Sequence, residues 1–300
     1  MMAISKCKIC SAAGPNKLLF KKKSKFNEFF DIYRCGTCGS CFVHPQPDDE
    51  NLSKYYEEDY FSKRTERGYD NYCSDAIRKE IERVFRLNLN DIRFDAWEKS
   101  YVRVAENSHE PLRSLDVGCA AGYFVYYMRE RGYDARGIEI GDDVAAFGRE
   151  KLGLNIKTGN FLSMDVNEKF DVITSWASLE HMKDPGLFFT KASEILKPGG
   201  LLIISTCRYG FFARLYGKKW RYFNVPEHLF FFSIRGLTQL VRNAEFMTWK
   251  RISYGSGLTA GLRKGKFYKL CKRVADKFVK KVNQGDMVVI ACRKKFFTIT

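Results

Sequence analysis

The segment SLDVGCAAGYFVYYMRERGY, Ser114 to Tyr133, constrains the fold more than any other stretch. An apolar run reaches Asp116, a turn carries Gly118 and Gly122, and a helix-like run follows. Glycine allows a sharp turn and a close approach of backbone to ligand. A helix opening there presents unpaired N–H groups and a partial positive charge. The next run, DARGIEI, carries Glu139 near its end, 23 residues after Asp116. An acidic residue about 20 residues past such a turn is where a ribose diol is held, because a carboxylate accepts both hydroxyls. From Ser114 onward the pattern strand, turn, helix repeats. Strands are expected near 114–118, 135–140, 155–158, 171–176, 200–206, 246–254 and 286–293, and helices near 122–131, 143–152, 185–196 and 234–243. This alternation predicts an α/β fold, a Rossmann-like seven-stranded, mostly parallel sheet with helices on both faces. The last two strands are separated by a basic helical stretch and need not be parallel.

Three further segments follow in a fixed order. GNF (Gly159 to Phe161) comes after the third strand. FDVITSWASLEHMKDP (Phe170 to Pro185) is a strand running into a polar loop. LKPGGLLIIST (Leu196 to Thr206) is a helix end, a Pro-Gly-Gly turn and the fifth strand. Together these segments resemble class I S-adenosylmethionine (SAM)-dependent methyltransferases over roughly residues 112–295. The resemblance implies an enzyme that binds SAM. It assigns Asp116, Gly118 and Gly122 to the methionine part, with Cys119, Ala120, Tyr123 and Phe124 around the same turn. Glu139, next to Ile140, would bind the ribose hydroxyls. Asn160 would meet the adenine amino group with Phe161 beside the ring, and Trp176 would lie close to the methionine moiety. Two residues depart from the pattern. Ala120 stands where the family has its middle glycine, which predicts a small local shift, and Asn160 stands where aspartate is common.

Five of the ten cysteines fall within the first 41 residues. Cys7-x2-Cys10 and Cys35-x2-Cys38 supply four soft ligands in two short-spaced pairs, a set that suits tetrahedral Zn²⁺. Four protein ligands leave no open position, so the expected zinc is structural. Cys41 and His44 continue the spacing and are competing ligands. Between the pairs, the later half of KLLFKKKSKFNEFFDIYR has strand composition. Residues 51–106 show helical spacing, expected as a layer between metal module and main domain. The expected organisation is a zinc-binding module over 1–47, a helical linking segment over 48–110 and a methyltransferase domain over 111–300. This layout resembles bacterial enzymes that methylate nucleotide-linked sugars and related small molecules. It implies a small-molecule acceptor that is anionic or sugar-containing.

An acceptor site belongs beyond the C-terminal ends of the strands. Glu180 and His181 lie in the loop after the fourth strand. GKKWRYFNVPEHLFFFS (Gly217 to Ser233) follows the fifth and carries Trp220, Tyr222, Glu227 and His228. Its aromatic, loop-like character suggests a lid. His228 and His181 are both candidate general bases, since histidine titrates near neutrality, with Tyr222 positioning the acceptor. LRKGKFYKLCKRVADKFVKK, Leu262 to Lys281, has nine basic residues and one acidic one. It reads either as a helix packing Phe267, Leu270, Val274 and Phe278 on the domain, or as a peripheral contact with a membrane or polyanion.

The formal net charge of +16 favours anionic partners. A nucleic-acid methyltransferase is therefore an alternative. Against it, SWASLEH stands where an amino-methylating Asn/Asp-Pro-Pro-Tyr motif belongs, and no cysteine is placed as a carbon-5 RNA nucleophile. A non-catalytic SAM-binding scaffold is a third reading. No apolar run approaches the ~20 residues a spanning helix needs. MMAISKCKICSAAG lacks an apolar stretch of signal-peptide length, so a cytoplasmic location is expected.

Overall fold

A computed structural model describes residues 6–56, 72–104, 110–255 and 266–295. The chain order begins with β1 (Asn16–Lys23), β2 (Phe29–Cys35), β3 (Cys41–Val43), α1 (Asp49–Ser53), α2 (Asp75–Asp91) and α3 (Phe94–Val104). The α/β part follows as β4 (Arg113–Val117), α4 (Tyr123–Glu130), β5 (Asp134–Glu139), α5 (Asp142–Leu152), β6 (Asn155–Thr158), β7 (Phe170–Trp176), α6 (Pro185–Ile195) and β8 (Leu196–Cys207). It closes with α7 (Phe211–Tyr216), β9 (Phe230–Phe231), α8 (Ile234–Asn243), β10 (Phe246–Tyr254), α9 (Lys266–Lys281) and β11 (Met287–Lys294).

Seven strands form one sheet in the order β10-β11-β8-β7-β4-β5-β6. Strands β4 to β8 are mutually parallel, while β11 runs antiparallel to both β8 and β10. The expected Rossmann-like sheet is therefore present. Successive residues of a strand point to opposite faces, and the core divides accordingly. Ile173, Leu202, Ile204, Val288 and Ile290 pack with Phe188, Phe189, Leu237 and Leu240 of α6 and α8. Val172, Leu201, Ile203, Val289 and Ala291 pack on the other face with α4, α5 and the helices that precede the sheet.

Those preceding helices differ from expectation. Ser74 caps α2, its hydroxyl accepting from the Ile77 N–H at 3.4 Å. Ile81, Phe85, Leu89, Trp97 and Tyr101 then lie in the same cluster as the strands. The Trp97 indole donates to the Gly199 carbonyl at 3.2 Å, and the Tyr101 hydroxyl donates to Asp171 Oδ1 at 2.8 Å. Helices α2 and α3 thus cover a sheet face instead of forming an intermediate layer. Their apolar stripe finds its largest partner surface there.

The N-terminal strands form a second sheet, antiparallel, in the order β1-β2-β3-β9. Its last strand comes from beyond β8, with Cys41 opposite Phe231 and Phe42 opposite Phe230. A third cluster joins Ile32, Cys41 and Val43 to Cys207, Trp220, Phe223, Val225 and Phe231. The segment 217–233 is therefore a packed wall and not a loose lid. Trp220 is buried, and its indole donates to Asp286 Oδ1 at 2.8 Å. No helix among the described residues is long and apolar enough to cross a membrane.

Candidate functional site

Strand order reverses between the neighbouring parallel strands β4 and β7, whose following connections lead to opposite ends of the sheet, to β5 and to β8. Such a switch point leaves a crevice at the C-terminal ends of the strands. A cavity of about 870 Å³ opens there. Asp116, Gly118, Cys119, Ala120, Tyr123, Phe124, Glu139, Ile140, Asn160, Phe161 and Trp176 all line it. Gly122 does not. It caps α4 at φ 77°, and a Cβ there would stand 2.6 Å from Ile156 and 2.7 Å from Leu154. Its role is close packing of the helix on the sheet.

Both oxygens of Glu139 are held by the backbone. The Ala120 N–H donates to Oε2 at 2.7 Å and the Gly141 N–H to Oε1 at 2.9 Å. Burial raises this carboxyl from its ordinary value, and those two donors oppose the shift. Asp116 accepts the Thr174 hydroxyl at 2.6 Å. Burial first, and the Glu139 charge as well, push it up to about 8 against that bond. Gly118 has φ 71°, and a Cβ on it would fall 1.9 Å from Ser178 Oγ, so the turn admits no side chain. Trp176 leans on Phe85 and Phe124 at 5.1 and 5.2 Å between ring centroids. Its buried indole N–H has no partner among the described residues. Two carboxyl groups that accept, an orphaned buried donor and a glycine position that admits no side chain suit an adenosyl ligand. The Asn160 side-chain oxygen accepts from the Leu162 N–H at 3.0 Å, which fixes the amide at the cavity wall.

Glu180, His181, Tyr222 and His228 line the same cavity. One ligand-capable atom from each of Glu180, His181 and His228 lies within 4.8 Å of the others. The two imidazoles meet edge to face at 4.7 Å. His228 Nδ1 lies 2.9 Å from the Tyr222 carbonyl oxygen. A carbonyl only accepts, so Nδ1 carries the proton and Nε2 the lone pair. The Tyr56 hydroxyl donates to the Glu227 carbonyl at 3.1 Å, and so accepts from His181 Nδ1 at 2.8 Å. Glu180 is buried and accepts the Thr206 hydroxyl at 2.7 Å. Burial pushes its carboxyl up to about 7.

Several lining residues carried no signal in the sequence. Tyr56, Tyr72 and Phe85 come from the helical segment, where aromatics at helical spacing read as core. Arg221 and Asn224 sat inside the aromatic segment without standing out. The Arg221 guanidinium lies 5.0 Å above the Tyr222 ring, with no carboxylate partner among the described residues. Asn224 is buried, and its side-chain oxygen lacks a partner among the described residues.

The four cysteines converge at the end of the N-terminal sheet. Cys7 and Cys38 Sγ are 3.9 Å apart, and Cys10 and Cys35 Sγ are 3.7 Å apart. All four sulfurs lie within 4.8 Å of one another. A tetrahedron of Zn–S bonds near 2.3 Å requires sulfurs roughly 3.8 Å apart, so the donor set fits zinc. Neither competing ligand joins them. Cys41 is buried against the third cluster, and His44 meets the Tyr33 ring edge at 5.8 Å.

A family described as a methyltransferase domain matches residues 89–250, just over half of the chain. A ubiquinone biosynthesis O-methyltransferase of Bradyrhizobium sp. is 31% identical over 153 residues, 49% of this chain and 59% of that protein. One from Nitrobacter winogradskyi is 33% identical over 157 residues, 50% of this chain and 59% of its own length. The chain thus spans about 59% of the length of these curated relatives. Among solved structures, a SAM-dependent methyltransferase from Archaeoglobus fulgidus is 16% identical, with a TM-score of 0.48, covering 72% of this chain and 94% of that one.

Proposed function

The chain belongs to the methyltransferase-domain family, and we propose that it transfers a methyl group from SAM to the oxygen of a small anionic acceptor, of the nucleotide-linked sugar or glycan-precursor class. The observation that carries this reading is the single cavity, which joins Glu139 at the β5 end to Glu180, His181 and His228 beyond β7 and β8. Oxygen as the acceptor atom is supported by the names of the two relatives.

Bound SAM supplies a methyl group already activated on a sulfonium. The protein must align the acceptor and exclude water. Glu139 accepts the ribose hydroxyls, Asn160 and Phe161 meet the base, and Asp116 and the Gly118 turn hold the cationic amino acid end. Beyond them, His228 takes the acceptor proton on Nε2, its ring fixed by the Tyr222 carbonyl. The adjacent Glu180 carboxylate stabilises the imidazolium that results. Arg221 supplies a cation, and Asn224 an acceptor for a hydroxyl of the same ligand. His181, braced by Tyr56, and the Tyr222 hydroxyl position the acceptor.

The four cysteines hold a structural zinc in the N-terminal segment 1–47. Within the helical linking segment 48–110, Tyr72 and Phe85 cover the cofactor end, and 111–300 is the catalytic domain. Two measurements test the reading. Calorimetry should show that Glu139→Ala weakens SAM binding about 100-fold or more, the effect of losing two charge-assisted hydrogen bonds, while circular dichroism stays unchanged. A screen of nucleotide sugars for S-adenosylhomocysteine release should find the acceptor. If Glu139→Ala binds SAM as tightly as its parent, the cofactor assignment is wrong.

A further inference from the structure

Helix α9 faces the opposite way from a helix that packs its apolar stripe on a domain. Val279 is fully buried, and the helix packs against β10. Val274 and Phe278, the described members of the expected apolar face, are each 60% exposed, and Val282 one turn further on is 42% exposed. The side chains of Phe267 and Leu270, and residues 262–265, lie outside the described residues. At 100° per residue, positions 274, 278 and 282 form a stripe about 80° wide, its centre about 100° around the helix from Val279. Lys277 and Lys281 border that stripe and are exposed, as is Lys272. Lys280 is turned aside, paired with Asp91 at the end of α2. The helix holds seven basic residues and one acidic residue along about 24 Å.

We propose that this face of α9 docks on an anionic lipid surface. An exposed apolar stripe with lysines along its flank is the pattern of a helix lying in a membrane interface. The apolar residues enter the acyl boundary, and the lysines meet negative headgroups. The alternatives fit less well. A polyanion such as RNA would use the lysines and leave Val274 and Phe278 in water. A second copy would bring two strongly basic helices together in a chain of net charge +16. The position is also suited to the task. The chain passes from the end of α9 through 282–286 to Met287, which lines the cavity.

The test is flotation of the full chain with vesicles of phosphatidylcholine alone and of phosphatidylcholine mixed with phosphatidylglycerol. Binding to the mixed vesicles is expected, about tenfold or more tighter than to neutral ones, and weakening as salt rises. The double variant Val274→Asp/Phe278→Asp should lose it by about tenfold or more, while its thermal stabilisation by SAM stays that of the parent. Lys277→Glu/Lys281→Glu should lose the anionic preference in the same way. Absence of binding to either vesicle overturns the proposal, and so does undiminished binding by the apolar double variant. So does a parent that is dimeric without vesicles and is made monomeric by Val274→Asp/Phe278→Asp, since the stripe would then be an interface between copies.

Discussion

Ala120 occupies the left-handed region at φ 49°, at the place where the resembling family has glycine. An alanine there costs about 1–2 kcal/mol that glycine does not. The strain persists because the Ala120 N–H is held by Glu139. Ala120→Gly should therefore raise stability by roughly 1 kcal/mol in a denaturant titration and leave SAM affinity at least as high. Asp116 lends the same crevice a pH dependence. Its carboxyl is raised to about 8 in the folded chain, so folding favours the protonated form. Its contribution to stability is full below the unfolded value near 3.8 and is lost as pH rises through about 8. Binding runs the other way, because a cationic ligand favours the carboxylate. SAM affinity should rise between pH 6 and 8 and level off above, and Asp116→Asn should flatten most of that slope in calorimetry at several pH values. The residues of this crevice were legible because the backbone there is local: one turn and one strand end bring Asp116, Gly118 and Glu139 together. Tyr56, Tyr72 and Asn224 were not, since only the tertiary fold carries them to the same cavity.

At the scale of elements, legibility followed length and period. Strands β4 to β8, β10 and β11 and helices α4, α5, α6 and α8 lie within a few residues of their expected positions. Each has enough residues to show its repeat. Strand β9 is two residues long and has no period to read, and β1 is a lysine-rich strand, NKLLFKKK, in the earlier half of a segment whose later half alone read as strand. What the helical periodicity of 75–104 could not reveal was its partner. Amphipathicity states that a face will be buried and not against what. In the structure the partner is the main sheet, through Trp97, which is 1% exposed and donates to Gly199. Trp97→Ala should cost about 3–5 kcal/mol in chemical denaturation. Trp97→Phe should recover most of it, losing chiefly the hydrogen bond, worth about 1 kcal/mol. A loss for Trp97→Ala below about 1 kcal/mol would mean that α3 merely links the parts and does not cover the sheet.

Across the whole molecule, the cysteine cluster and the proposed base are mechanically connected. Cys35 and Cys38 hold the turn into β3, and β3 pairs with β9 immediately after His228. The Ser233 hydroxyl donates to the Cys38 carbonyl at 2.5 Å, and the Val43 N–H donates to the Leu229 carbonyl at 2.9 Å. The loop carrying His228 is thus clamped on one side by the N-terminal sheet, and on the other the Leu229 N–H donates to the Glu180 carbonyl at 2.8 Å. At the cofactor end, Asp116, Gly118 and Glu139 stand on the main sheet and, among the described residues, make no hydrogen bond to the N-terminal sheet, which reaches them only through apolar packing of the shared core. Zinc removal should therefore separate the two halves of the reaction. Purified protein should carry about one zinc per chain by elemental analysis, and Cys7→Ser should lower that content. The depleted protein should keep most of its thermal shift with SAM. Its kcat/KM for the acceptor should fall about 100-fold, the scale expected when a base is displaced by about 1 Å. Loss of SAM binding in step with activity would instead mean that the metal supports the entire fold, and unchanged turnover would dissociate the N-terminal sheet from the acceptor site.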